Sequence, residues 1–481
     1  METLQRTANR GSVSTGYDID NSLKIEADNA ERIFRSSSDI GTPTSTQKAT
    51  ISYWIKRTEL QSSGNSIVFI GNAGATNTFN GFNNDRLKHI SDVSNAGNFT
   101  SNAVFRDTAA WYHVVWAFDT TQGTDTNRVK AYVNGVQITS WDTATYPNQN
   151  NVIGLYETNM GHYFGWSDAQ SQSGYYAEIY LIDGQQLAPT EFGEFDSDTG
   201  IWIPKEYTGS FGNEGYYLDF EDSSNLGLDV SGNSNNFGSL YNITAADQAT
   251  DTCTNNFCTG NNLVRFTNPS SQVVTEGATL MTKGANGYET ISGTIYVTRG
   301  KWYCEVQSIL NSATTAYCSV MPDDSPIIAA GGAISHYPGS RSGDGGVSYY
   351  ANNGNKYLDG GNSSYGNDWK SGTGLGDIMG IALDMDNGKV YFAKANVWQN
   401  SGDPTSGSTG TGAIDLPSPT KAYTMAAVIY ANNNAIAINY GGYTYITISS
   451  GASDANGHGT FEYAPPSGYF ALCTKNLAET G

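Results

Sequence analysis

Hydrophobic positions along this chain fall in short runs of β-branched and aromatic residues bounded by Gly, Asn, Asp or Ser, and a 3.6-residue period is almost absent. Ala49–Arg57 (ATISYWIKR) alternates and predicts a strand with Ile51, Tyr53 and Ile55 on one face. Ser66–Ile70 reads as a short buried strand, and Trp111–Asp119 (WYHVVWAFD) as another. In Arg128–Ile138 the pair Asn134–Gly135 separates two apolar runs and predicts a tight hairpin, because both residues tolerate positive φ. Tyr175–Leu187 repeats the device around Asp183–Gly184. Further along, Thr294–Val306 reads as a hairpin around Arg299–Gly300, and Asp377–Lys394 as two strands flanking Asp386–Asn387–Gly388. Thr424–Tyr440 predicts another strand pair and Gly468–Cys473 a closing strand. Gly332–Gly376 reads as a long loop rich in Gly, Tyr, Asn and Ser.

Many short strands with regular turns predict an all-β chain of antiparallel sandwiches. Asp219–Asn262 is the exception, a turn-rich stretch with one or two short strands such as Tyr216–Phe220 beside it. It divides the chain into an N-terminal arm (1–14), a first sandwich (15–220), a connector (221–262) and a second sandwich (263–481).

Composition narrows the function classes. Over 481 residues, Asp and Glu number 46 against 25 Lys and Arg, a net charge of −21 that repels phosphate backbones and argues against nucleic acid. Aromatic residues at 12% argue against a disordered chain. No apolar run approaches bilayer-spanning length, and Met1–Ser14 has neither an apolar core nor a cleavage-like site, so neither membrane insertion nor a secretory signal is expected. Five scattered cysteines do not make a disulfide framework; Cys253 and Cys258 are close enough to pair, with free thiols the simpler reading. The five histidines show no metal-ligand spacing, and His113, inside an apolar strand, reads as a structural imidazole.

The pieces Ser22–Ile33, ATISYWIKR, Trp111–Ile138 and Ala177–Asp196 (AEIYLIDGQQLAPTEFGEFD) resemble, in order and spacing, a laminin-G-like, concanavalin A-like jelly roll. GKWYCEV (Gly300–Val306), GDIMGIALDMDNGKVYFAK, NVWQNSGDP (Asn396–Pro404) and the tail Pro465–Leu477 resemble a SPRY-type sandwich, another concanavalin A-like fold. The joint Tyr216–Phe237 is similar to that between such modules in bacteriophage virion proteins, marine phages in particular. The resemblance implies two tandem jelly rolls in a tail fibre, head fibre or decoration protein at the virion surface. Its implied partners are host-surface glycans and other virion proteins, in a homo-oligomer taken to be a trimer. A capsid decoration protein that mainly binds other virion proteins and stabilises the particle is the alternative, and a glycan-degrading enzyme on the same fold the second alternative.

The chemistry in the sequence favours binding over catalysis. The segment Glu194–Phe195–Asp196–Ser197–Asp198 comes nearest to the paired carboxylates of a jelly-roll glycosidase, but it ends in Asp in a turn-forming setting, so no enzyme is expected. Sugars need aromatic faces beside polar groups, and turn-rich segments supply Tyr156, Tyr163 and Trp166, then Tyr350, Tyr357 and Trp369, with Trp398 after a hairpin strand. No cofactor is required. Laminin-G-like modules often hold Ca2+ at a loop rim, for which Asp119, Asp125, Asp142 and Asp168 are the donors, competing with a plain role in turns. Arg6 and Arg10, basic residues of the N-terminal arm, are the candidates for docking on another virion protein.

Overall fold

The computed structural model describes residues 16–60, 65–72, 77–92, 97–157, 159–165, 170–263, 272–311, 315–326, 336–370 and 372–481. The chain separates into two units, Met1–Asn255 and Asn256–Gly481. Each carries two large sheets, antiparallel at every main pairing, over its own hydrophobic core, and the first unit adds a two-stranded one.

In the first unit, eight described strands form one sheet. In spatial order they are Val136–Gln137, Val129–Val133, Trp111–Asp119, Lys48–Arg57, Gly174–Asp183, Ser22–Ile25 and Gln248–Ala249, with Tyr216–Leu218 also pairing to Gly174–Asp183. Eight more form the other: Trp141–Thr145, Asn98–Val104, Arg86–Ser91, Asn77–Asn83, Asn65–Asn72, Gly161–Gly165, Arg32–Arg35 and Ser239–Tyr241. Alternate residues of each strand meet in the core, where Ile51, Tyr53, Ile55 and Trp116 face Phe69, Phe82, Phe99 and Phe164. The Asn134–Gly135 hairpin forms as expected, with both residues at positive φ (49° and 76°).

Several expectations are corrected. Asp183–Gly184 closes one long strand and opens no hairpin; the chain goes on to a short 3-10 turn at Pro189–Glu191. Thr294–Arg299 forms no strand of its own, touching the sheet through a single bridge from Val297 to Tyr423, and the strand begins at Lys301. The stretch read as a connector supplies Ser239–Tyr241 to one sheet of the first unit and Gln248–Ala249 to the other. Its polar residues hold it there: Asp229 accepts amides from Tyr217, Ser231 and Asn235 at 2.7–2.9 Å, and Asn235 accepts from Arg35, itself paired with Glu214 at 2.8 Å.

The second unit has a nine-stranded sheet centred on Lys301–Leu310 and Gly374–Asp384. Facing it is a six-stranded sheet in the order Glu289–Ser292, Tyr423–Ile429, Ala316–Pro322, Val347–Tyr350, Asn355–Leu358, Gly361–Ser364. Three of those strands lie inside the region read as a loop. The Asp386–Gly388 hairpin forms as expected. The pair in Thr424–Tyr440 does not: Tyr423–Ile429 joins the six-stranded sheet and Ala435–Asn439 the nine-stranded one, so the intervening turn crosses the sandwich. All five cysteines are buried and none is in a disulfide, so Cys253 and Cys258 do not pair. No helix among the described residues is long and apolar enough to cross a membrane.

Candidate functional site

The six-stranded sheet turns one face to the core and presents tyrosines on the other. Register sets the division. Cys318 opposes Tyr349 and both enter the core, while their neighbours Tyr317 and Tyr350 oppose each other on the outer face. Tyr317 also opposes Val428, and Tyr357 opposes Ser348, on that same face. Tyr288 and Tyr430 flank the outer ends of their strands, and Tyr337 arrives from the turn before Val347.

The rings form one continuous run. From Tyr430 through Tyr288, Tyr337, Tyr317 and Tyr350 to Tyr357, successive ring centroids lie 4.2–6.1 Å apart. Tyr317 is stacked between Tyr337 (4.2 Å, 24°) and Tyr350 (4.7 Å, 19°). Tyr317 and Tyr337 are buried, and burial pushes their phenols far up, so both stay neutral. Tyr288, Tyr350, Tyr357 and Tyr430 are half-buried and keep ring area toward solvent. Polar groups edge the run. Asn286 and Asn432 are exposed beside Tyr288 and Tyr430, where the Asn432 amide donates to Asn286 Oδ1 at 2.9 Å. Exposed Asn362 lies opposite Tyr357 in the register. The turn carrying Tyr337 is fixed from below, since Ser348 Oγ donates to the Pro338 carbonyl at 2.6 Å. The result is a preformed aromatic surface with amide edges, able to stack on flat apolar faces and hydrogen-bond hydroxyls.

The sequence candidates scatter otherwise. Tyr350 and Tyr357 are brought together on this surface. Trp369 is not a loop ligand: it is 1% exposed and packs in the core of the second unit. Trp398 is half-buried, edge-on to Tyr391 at 6.5 Å. Tyr156 packs against the first core with its hydroxyl buried, and Tyr163 lies on the strand Gly161–Gly165 stacked on Phe34 at 5.0 Å. Tyr156 ends the 3-10 turn Gly154–Tyr156 and Tyr163 lies within a sheet strand, so the two rings are not presented together on one loop. Trp166, Asp168, Arg6 and Arg10 lie outside the described residues.

Among the described residues no three His, Cys, Asp or Glu side chains gather as a metal group. Asp119 is committed to its turn, accepting from Thr121 N (3.0 Å), Thr121 Oγ1 (2.5 Å) and Gln122 Nε2 (2.8 Å), with Lys48 at 3.3 Å. Desolvation acts to raise its carboxyl, and these hydrogen bonds outweigh it and hold it low. Asp125 opens a 3-10 turn and accepts from the Thr126 amide at 2.7 Å, and Asp142 pairs with Arg86 at 3.4 Å within one sheet. Exposed Glu194 lies on the small hairpin Gly193–Phe195/Trp202–Pro204 and half-buried Asp196 in its turn, where the Thr199 hydroxyl keeps Asp196 below its usual range. His113 is a core imidazole. Trp202 Nε1 donates to its Nδ1 at 3.0 Å, which fixes the proton on Nε2, 2.8 Å from Ser52 Oγ, and burial pushes its pKa down to about 3.

Sequence reasoning missed a buried carboxyl, Glu178. It sits at a bulge in Gly174–Asp183 with φ of 51°, where the register slips between Ala177 and Tyr180. Tyr17 (2.9 Å) and Tyr180 (2.5 Å) donate to its Oε2 and Tyr217 (2.7 Å) to its Oε1, while the Tyr17 and Tyr217 hydroxyls are 2.7 Å apart. Four contacts need four protons and three phenols supply three, so the set is complete only when Glu178 holds a proton; the protonated Oε1 then donates to Tyr217, whose own hydroxyl turns to donate to Tyr17. Desolvation pushes its pKa up to about 7.

Residues 34–178 match the family model Laminin_G_3, described as the concanavalin A-like lectin/glucanases superfamily. Among solved structures, the chain is similar to the SPRY domain of human HERC1, at 17% identity over 35% of this chain and 91% of that one, with a TM-score of 0.25. It is also similar to the TRIM65 PSpry domain, at 10% identity over 38% and 91%, with a TM-score of 0.28. No curated protein matches it.

Proposed function

We propose that this is a non-enzymatic binding protein that holds carbohydrate on the tyrosine face of its second unit. The observation that carries the reading is the continuous run of six tyrosine rings, four of them half-exposed, on one rigid sheet face with amides at its edges. Pyranose rings offer apolar C–H faces to such rings and hydroxyls to such amides. The description of the family matched by the first unit, which names lectins and glucanases, supports binding of glycans by the chain as a whole. The reading needs no catalytic group and no cofactor, and a Ca2+ ion at the first unit would be separate from the platform.

In this reading the protein works at a virion surface, as a phage tail or head fibre that meets host-cell glycans and docks on other virion proteins. The sequence resemblance supports that setting, and copies in a homo-oligomer, a trimer there, would add weak single-site contacts into avidity. The test is a glycan array with the full-length protein, followed by titration of the best ligand. Tyr350→Ala and Tyr357→Ala should each weaken it by about tenfold, the loss expected for one stacked ring, and EDTA should leave it unchanged. No glycan signal at multivalent display, or full affinity in both variants, overturns the proposal.

A further inference from the structure

Lys24 lies on the first described strand of the first unit and Asp247 just before its last, Gln248–Ala249, where Leu23 opposes Gln248. Lys24 Nζ is 2.8 Å from Asp247 Oδ1 and 2.8 and 3.0 Å from the two oxygens of Glu31. The three side chains are 1%, 8% and 4% exposed, in that order. The other Asp247 oxygen, Oδ2, accepts from the amide (2.7 Å) and the hydroxyl (3.1 Å) of Thr244. An amine thus faces a carboxyl whose far oxygen is held by two donors, and a second carboxyl touches the same nitrogen. Glu31 is suited to carry protons, because desolvation raises it above the ordinary carboxyl range even with Lys24 beside it.

We propose that Lys24 and Asp247 condense into an amide that staples the first strand of this unit to its last, with Glu31 as the proton carrier. The Lys24 ammonium gives up two protons in turn, each carried by Glu31 to Asp247 Oδ1. The freed nitrogen lone pair attacks the carboxyl carbon, and Oδ2 bears the charge of the tetrahedral intermediate under the Thr244 donors. The bond from carbon to Oδ1 then breaks and water leaves. One C–N bond forms, one C–O bond breaks, nothing is oxidised or reduced, and Glu31 ends as it began. Condensation also exchanges two buried charges for a neutral amide, which removes a standing desolvation cost.

Mass spectrometry of the denatured full-length protein tests this. The wild-type chain should be lighter than its sequence mass by one water, and fragmentation should join the peptide carrying Lys24 to the one carrying Asp247. Glu31→Gln, which keeps the side chain's shape but cannot carry the proton, should restore the full mass, as should Lys24→Arg. A wild-type chain at full sequence mass overturns the proposal. So does a water loss that persists in Lys24→Arg, or a link from Lys24 to Glu31 instead. Should Glu31→Gln fail to fold, the wild-type mass and the joined peptides still decide.

Discussion

Glu178 should make the first unit lose stability as pH rises. Its carboxyl is pushed from the usual 4.5 up to about 7 in the fold, mainly by desolvation, with Asp219 adding repulsion and the three phenols pulling the other way. Between those two values the folded state keeps a proton that the unfolded chain has released, so folding takes up a proton and each step up in pH costs stability. The contribution is fully present below about pH 4.5 and is gone above about pH 7, and the gap is worth about 3 kcal/mol. Glu178→Gln keeps the shape and supplies N–H donors at every pH, so it removes this slope. Glu305, in the second unit, is pushed up to about 7 by the same cause and stays in both proteins as a common background. The assay is urea unfolding of wild type and Glu178→Gln at intervals from pH 4 to pH 8, followed by near-ultraviolet signals from the tyrosines. The difference in unfolding free energy should swing by about 3 kcal/mol in favour of the variant over that range. Parallel profiles would mean that Glu178 is ionised in the fold, and the proton count over its four contacts would be wrong.

Three further outcomes follow from the packing. The His113 imidazole, with its pKa down near 3, should show no titration between pH 5 and pH 8 in NMR spectra, and a shift in that window would contradict its sealed tautomer. Trp369→Ala should destabilise the second unit by about 3–5 kcal/mol in thermal or urea melts, as expected for a large core side chain, whereas half-buried Trp398→Ala should cost clearly less. Gly135→Ala should lower the melting temperature of the first unit, because a Cβ there would stand 2.3 Å from the Trp202 ring at a φ of 76°.

Local signals carried most of what the sequence revealed. The alternation of Ile51, Tyr53 and Ile55 and the turns at Asn134–Gly135 and Asp386–Gly388 are decided within a few residues, and each stands as read. Partner choice is not local. Tyr423–Ile429 and Ala435–Asn439 look like a hairpin because their turn is short, yet each finds a better-matched neighbour in a different sheet. The tyrosine platform was half visible through Tyr350 and Tyr357. Tyr288, Tyr317, Tyr337 and Tyr430 join them only through cross-strand register. Trp369 misled for the opposite reason: its neighbours are polar and Gly-rich, but the turn folds its indole inward. The bulge at Glu178 had no signal, since a residue at positive φ inside an apolar strand is imposed by pairing on both sides.

The pairing of Ser22–Ile25 with Gln248–Ala249 sets how the first unit would respond to tension. Ser22 opposes Ala249, so the chain leaves both strands at the same end of the ladder. A pull on Gly16 and Asn255 therefore loads the hydrogen bonds one after another, as in a zipper, instead of sharing the load across the row in shear. The contacts of Tyr17 with Glu178 and Tyr217 and of Ile19 with Thr252 and Thr254 would give way first, then the pair at Ser22. The next link in line is Lys24 to Asp247. As an ion pair it would slow the opening only briefly, whereas as an amide it would end it, and the rest of the sandwich would never feel the force.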